Sequence, residues 1–257
     1  CHMIKKVVIA VAGQGTRMLE LTKDKSKHLI EVERRPFLAY LLDNILIAGY
    51  REIILVVGFR EDMVREFLNR YKFKGANYSI KIVNQFEILG PKEKEYGTAC
   101  PVRCVKDLVN NENFIFTLGD HFYSVRDLQS VGVEDGYNYA SCIVSGHPER
   151  FGVLMVKDGF LQRIIEKPKE FVGNLINVSL YKFTPEIFDK VFKIEKSSRG
   201  EYEITDAVSL LAQEKKVKLH ELKDKDYWID FGRPEDINKF SNFIKNGNTK
   251  TLAKNAK

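Results

Sequence analysis

Ile4-Lys5-Lys6-Val7-Val8-Ile9-Ala10-Val11-Ala12-Gly13-Gln14-Gly15-Thr16-Arg17 is the stretch that decides the fold. Residues 4–12 form a short apolar run, rich in β-branched side chains, that stops at glycines. That is the pattern of a buried strand. Glycines directly after it let backbone N–H groups come close to phosphates. The arginine two residues past the second glycine offers a forked cation for a polyphosphate. Taken alone, Gly-x-Gly is equally an ordinary strand-end turn. It is not the dinucleotide fingerprint, because Met18 stands where a third glycine belongs, and a dinucleotide oxidoreductase is disfavoured for that reason. It is not a Walker loop either, since no Gly-Lys-Ser/Thr follows.

Working outward, Pro36 to Gly49 predicts an amphipathic helix, with Phe37, Leu38, Leu41, Leu42, Ile45 and Leu46 on one face and Gly49 as its C-terminal cap. Ile53 to Val57 predicts a second buried strand, Glu61 to Tyr71 a helix, Ser79 to Val83 a third strand, and Phe114 to Leu118 a strand ending at Gly119-Asp120. This alternation implies an α/β fold with a Rossmann-like, doubly wound, mixed but mostly parallel sheet. The order then changes. Ala140 to Val144, Phe151 to Val156 and Leu161 to Ile165 read as strands, with Asp158-Gly159 as a hairpin turn, so a small antiparallel part is expected. Phe183 to Phe192 and Ile204 to Lys215 read as helices, Val217 to Glu221 as a late strand, and Pro234 to Lys245 as a closing helix.

The totals bound the function. The chain has 257 residues, 44% of them hydrophobic and 30% charged, which suffices for one large domain. The net charge of +6 suits phosphate-bearing ligands. No basic run interleaved with aromatics points to nucleic acid. Apolar stretches are strand-sized, so no membrane span is expected. Cys100, Cys104 and Cys142 form no Cys-x-x-Cys pair, which points to a reducing, cytoplasmic compartment rather than a zinc site or a disulfide framework. Cys1-His2 reads as an appended scar before a native Met3, and residues 246–257 as a polar, flexible tail. No linker divides the chain. The expectation is a single domain over 3–245, with a nucleotide half at 3–120 and a second half at 121–245.

Three segments could carry chemistry beyond the glycine loop. Lys27 lies ten residues past Arg17, and the two together make a two-cation phosphate clamp. Asp120 ends a buried strand at the sheet edge where ligands bind in open α/β folds, and suits Mg²⁺, which takes one or two carboxylates plus phosphate oxygens. Asp230, in Trp228-Ile229-Asp230-Phe231-Gly232-Arg233-Pro234, is either a second metal carboxylate or part of a loop before a helix that opens with proline. Glu166-Lys167-Pro168 and Glu203-Ile204-Thr205-Asp206 read equally well as surface charges and capping residues. His121 reads as a satisfied loop histidine.

The order of these segments is more specific than any one of them. Gly13-x-Gly15-Thr16-Arg17-Met18, Lys27-x-Leu29-Ile30, Arg35-Pro36, Gly97-Thr98-Ala99, Leu118-Gly119-Asp120, Phe151-Gly152-Val153, Glu166-Lys167-Pro168, Asn177, Glu203 to Asp206 and Trp228-x-Asp230-x-Gly232 follow one another. From about Ile4 to Lys245 the chain resembles the sugar-1-phosphate nucleotidylyltransferase family. The resemblance implies that a nucleoside triphosphate and a sugar-1-phosphate give a nucleotide sugar and pyrophosphate, with Mg²⁺. It matches Val11, Ala12, Gly13, Gly15, Thr16 and Arg17 to the triphosphate loop, and Lys27 to the lysine on the nucleotide phosphate. Gln85, Gly97 and Thr98 match the segment that reads base and ribose. Asp120 and Asp230 match the metal carboxylates, and Gly152, Glu166, Lys167 and Asn177 the sugar-phosphate pocket. Arg17, Lys27 and Asp120 would carry catalysis. Some positions depart from the family: Val11 precedes Ala12-Gly13, Ser26 replaces a proline, residues 86–96 make a long charged link, and His121 follows Asp120. Gly119-Asp120-His121 with its following aromatic pair is similar to the branch that transfers cytidylyl to inositol-1-phosphate, and this stands as the alternative. A non-catalytic sensor of the same fold is a further alternative, disfavoured by the complete set of charged residues. Base, sugar and homo-oligomeric state stay open.

Overall fold

The computed structural model describes residues 4–13, 15, 18, 21–23 and 25–248. The strands are β1 (Lys6–Val11), β2 (Glu31–Val32), β3 (Arg35–Pro36), β4 (Glu52–Val57), β5 (Ser79–Asn84), β6 (Phe114–Leu118), β7 (His121–Phe122), β8 (Asn138–Val144), β9 (Gly152–Lys157), β10 (Phe160–Glu166), β11 (Leu175–Phe183), β12 (Val217–Glu221) and β13 (Ile229–Asp230). The helices are α1 (Phe37–Ile47), α2 (Glu61–Arg70), α3 (Gln85–Leu89), α4 (Cys100–Arg103), α5 (Lys106–Val109), α6 (Val125–Val131), α7 (Ile187–Val191), α8 (Ile204–Gln213) and α9 (Pro234–Phe243).

One nine-stranded sheet runs in the order β5-β4-β1-β6-β11-β8-β12-β10-β9. β4 and β6 flank β1 in parallel, and β5 lies parallel to β4. The chain therefore winds outward from β1 through β4 to β5, then returns to the other side of β1 as β6. That reversal is a topological switch point, and it opens a crevice beyond the C-terminal ends of β1 and β6. β11 runs antiparallel to both β6 and β8, and β9 and β10 form an antiparallel hairpin. The sheet is thus mixed, parallel at one end and largely antiparallel at the other.

Alternation along β1 builds the two faces. Val7, Ile9 and Val11 pack with Leu38, Leu41, Leu42 and Ile45 of α1, while Val8 packs with Val56, Phe116 and the apolar side of α8 on the opposite face. A third cluster fastens the chain's late segment to its beginning. Phe231 stacks on Phe37 at 4.3 Å, and Phe240 of α9 meets Phe37, Tyr40 and Phe122.

The expected helix over Phe183 to Phe192 is corrected. Phe183 ends β11, and only Ile187–Val191 is helical. β11 itself was not foreseen. It is buried on both sides of the sheet, and a register shift between Asn177 and Tyr181, with Ser179 at φ 57°, breaks the alternation that marks a strand.

Candidate active site

Lys27, Asp120 and Asp230 come from three distant segments. Lys27 opens a 3₁₀ turn, Lys27–Leu29, whose preceding Ser26 is fully buried with its hydroxyl 3.0 Å from His28 Nδ1. Asp120 follows Gly119 at the end of β6, inside the switch-point crevice. Asp230 is brought beside it by the two-residue ladder of β7 with β13, in which Asp230 faces His121. The Phe231 N–H also donates to the Asp120 carbonyl at 2.7 Å, so the stack of Phe231 on Phe37 holds the two carboxylates in register.

Lys27 Nζ donates to Asp120 Oδ2 as a close ion pair. Burial alone would raise the Asp120 carboxyl. The Lys27 ammonium more than offsets this and holds it well below the usual carboxylate range. The same burial, reinforced by Lys27, pushes the His28 imidazole down to about 3, so it is neutral. Asp120, His121 and Asp230 each offer a ligand atom within 4.8 Å of the others. Two carboxylates and a crevice sized for phosphates fit a hard divalent ion, and the depressed Asp120 keeps its charge for one.

These groups share a cavity of about 430 Å³. Ala12, Gly13, Gly15, Lys27, Gln85, Gly97, Thr98, Asp120, Gly152, Glu166, Lys167, Asn177 and Asp230 all line it. Val11 does not: its side chain is buried in the core against α1, as the alternation of β1 demands. Thr16 and Arg17 lie outside the described residues. Gly15 sits at φ 65°, and a Cβ there would come within 2.8 Å of Lys27 Cβ, so glycine keeps the loop against the Lys27 stem.

At the far end, Lys167 has φ 44° and is anchored by its N–H to the Phe151 carbonyl at 3.0 Å. Burial raises the neighbouring Glu166 carboxyl, while Arg199 opposes this at 3.9 Å. Arg199, missed in the sequence, also pairs with the buried Glu203 at 2.6 Å. Its signal was its place beside the Glu203 to Asp206 motif. Thr98 Oγ1 accepts the N–H of Ile204 at 2.9 Å, so a residue 106 positions earlier in the chain caps helix α8.

Among the described residues, three buried side-chain atoms lack a hydrogen-bond partner: Asp43 Oδ2, Gln85 Oε1 and Thr205 Oγ1. Asp43 is ion-paired with Arg35 at 2.7 Å. Gln85 and Thr205 both line the cavity. Orphaned buried polar atoms are costly, and these two face the cavity.

Fold and crevice define an α/β protein with a charged cavity at its topological switch point. Residues 6–247 match the nucleotidyl transferase family. The chain is 30% identical over 237 residues to the UTP–glucose-1-phosphate uridylyltransferase AglF of Haloferax volcanii, covering 90% of this chain and 93% of that one. It is 32% identical over 245 residues to the bifunctional protein GlmU of Methanococcus maripaludis, covering 92% of this chain and 54% of that longer one. Its fold superposes on that of a UDP-glucose pyrophosphorylase solved with UDP-glucose, with a TM-score of 0.80 at 21% identity over 95% of this chain and all of the other. The chain belongs to the nucleotidyl transferase family, and its activity class is sugar-1-phosphate nucleotidyl transfer. Among the described residues no helix is long and apolar enough to cross a membrane.

Proposed function

We propose that this enzyme joins UTP to glucose-1-phosphate, releasing pyrophosphate, with Mg²⁺ held by Asp120 and Asp230. Residues 3–120 bind the nucleotide and 121–245 the sugar phosphate. The observation that carries the base choice is Gln85, buried to 1% exposure with its Oε1 unpartnered at the nucleotide end of the cavity. Such an acceptor suits the N3–H of uracil, which cytosine lacks. The name of a relative of matching length supports both substrates.

The sugar phosphate is largely dianionic near neutral pH, because its second pKa lies near 6, so no strong general base is needed. Its oxygen attacks the α-phosphorus in line, and pyrophosphate leaves. Positioning and charge carry the reaction. When bound, the metal ion neutralises charge on the reacting phosphates. Lys27 passes from Asp120 to the nucleotide phosphates as they enter. Lys167 holds the sugar phosphate, with Arg199 adding charge, and Arg17 takes the leaving pyrophosphate. The buried, unpaired Cys100, Cys104 and Cys142 suit a reducing cytoplasm, where nucleoside triphosphates are made.

Pyrophosphate release measured over five nucleoside triphosphates against glucose-1-phosphate, N-acetylglucosamine-1-phosphate, mannose-1-phosphate and inositol-1-phosphate tests this reading. UTP with glucose-1-phosphate is the expected best pair. Turnover confined to CTP with inositol-1-phosphate would overturn it.

A further inference from the structure

We propose that His121 is a nitrogen ligand of the divalent ion at Asp120 and Asp230, and that it tilts the site toward a manganese-type ion over magnesium. The inference rests on the metal reading above and concerns what this chain adds to it.

The ring is placed for ligation. His121 follows Asp120 directly and faces Asp230 across the β7–β13 ladder. Its Nε2 lies 4.0 Å from Asp120 Oδ1 and 3.9 Å from Asp230 Oδ1. Both distances exceed a hydrogen bond, so the nitrogen stands between the carboxylates without being bonded to either. The ring is held there, only 8% exposed, between Tyr123 at 6.2 Å and Trp228 at 5.9 Å.

The other nitrogen has two neighbours that ask for opposite tautomers. Nδ1 is 3.1 Å from the Val178 carbonyl, to which it can donate, and 3.2 Å from the indole N–H of Trp228, from which it can accept. In the tautomer with the proton on Nε2, Nδ1 accepts from Trp228. In the other tautomer Nδ1–H donates to Val178 and the Nε2 lone pair would be free to face a metal ion. A carbonyl behind the distal nitrogen is the usual device that orients a metal-bound imidazole. The Val178 carbonyl is exposed to this role by the break in β11, and it already accepts from Tyr123 at 2.7 Å.

The ligand type decides the preference. Mg²⁺ takes oxygen ligands almost exclusively, whereas first-row transition ions accept imidazole readily. Mg²⁺ binds the carboxylates with water in the imidazole's place. Mn²⁺ uses all three groups.

Pulsed electron paramagnetic resonance of the full chain with Mn²⁺ and UTP, without sugar phosphate, reads the ligand directly. A ¹⁴N coupling from a bound imidazole is expected. It should change on ¹⁵N-histidine labelling of the unaltered protein, vanish in His121→Asn and persist in Trp228→Phe. Mg²⁺ competition against bound Mn²⁺ should show the Mn²⁺ preference falling about tenfold in His121→Asn. Bound Mn²⁺ that is lost in Asp230→Asn but shows no histidine nitrogen would overturn this proposal and leave the two-carboxylate site standing. No bound Mn²⁺ at all would overturn both.

Discussion

Lys27 Nζ rests on Asp120 Oδ2, joining residues 93 apart in the chain at the floor of the active-site cavity. The lysine occupies the place a divalent cation would take on that carboxylate, so the free enzyme carries its own counter-ion. Asp120→Asn removes the charge and keeps the shape. Turnover should fall by on the order of 10³-fold. Lys27, with only 13% of its side chain exposed, is left without its partner charge, so the fold should lose about 3 kcal/mol, or roughly 6–12 °C in Tm. Pyrophosphate release beside a thermal melt checks both. Near-normal turnover would remove Asp120 from the reaction.

Gln85 predicts two effects of opposite sign. Its Oε1 is buried and unpaired, which costs stability that nucleotide binding would recover on the proposed reading. Gln85→Leu should leave Tm unchanged or higher, yet raise KM for UTP by about tenfold, the equivalent of one lost hydrogen bond of about 1.4 kcal/mol. Unchanged KM for UTP would place the base elsewhere.

Which side chains the sequence could name, and which contacts it could not, follows from these residues. Gly13, Lys27 and Asp120 sit at the ends of regular elements, where a strand and its following turn leave a local pattern. The β1–β6 switch point could be inferred from alternation alone. Asp230 and His121 are joined by a two-residue ladder and by Phe231 packing on Phe37, contacts that no local spacing encodes. β11 was hidden because its irregular stretch from Asn177 to Tyr181 spoils the period that identifies a strand. Arg199 was hidden because a cation in a loop acquires meaning only once Glu203 and Glu166 are found beside it.

Gly97 lets residues 96–99 pack against the backbone of Tyr202. It has φ 135°, and a side chain would overlap the backbone of Tyr202. Around it, Tyr202 N–H donates to Tyr96 at 2.8 Å and Ala99 N–H donates to Tyr202 at 2.9 Å. Gly97→Ala should therefore cost roughly 2–3 kcal/mol through strain and overlap, and should disturb the Thr98 cap on α8. Urea unfolding measures it. A loss below about 0.5 kcal/mol, the level of an ordinary surface change, would show that the strap is pliable.

One buried and one half-buried histidine set the acid limb of stability. Burial and Lys27 push His28 down to about 3, and burial pushes His220 down to about 4, where Ser130 and Ser141 hydroxyls lie at 2.7 and 3.0 Å from its two nitrogens. Both imidazoles are neutral in the fold and protonate near 6.5 when unfolded. Their contribution is therefore complete above pH 6.5 and declines as pH falls toward the folded values. At pH 5 the loss should be about 2 kcal/mol for His28 and less for the more open His220. Denaturant melts from pH 7.5 to 5 should show this decline, and His220→Gln should make it shallower. A profile flat to pH 5 would contradict it.

Arg199 is the cation that joins Glu203 and Glu166 on the wall proposed to hold the sugar phosphate. It pairs with buried Glu203 at 2.6 Å and reaches Glu166 at 3.9 Å, beside Lys167 in the cavity. Arg199→Ala should raise KM for the sugar phosphate by about tenfold and leave KM for UTP within about twofold, because the nucleotide end keeps Lys27 and Gln85. Glu203 keeps its bond from Ser197 at 3.1 Å, so the carboxylate is not stranded and the fold should survive. Arg199→Lys should recover only part of the loss, since a point charge cannot bridge two carboxylates as a planar fork does. Equal increases in both KM values would instead mean that Arg199 supports the whole cavity rather than the sugar phosphate alone.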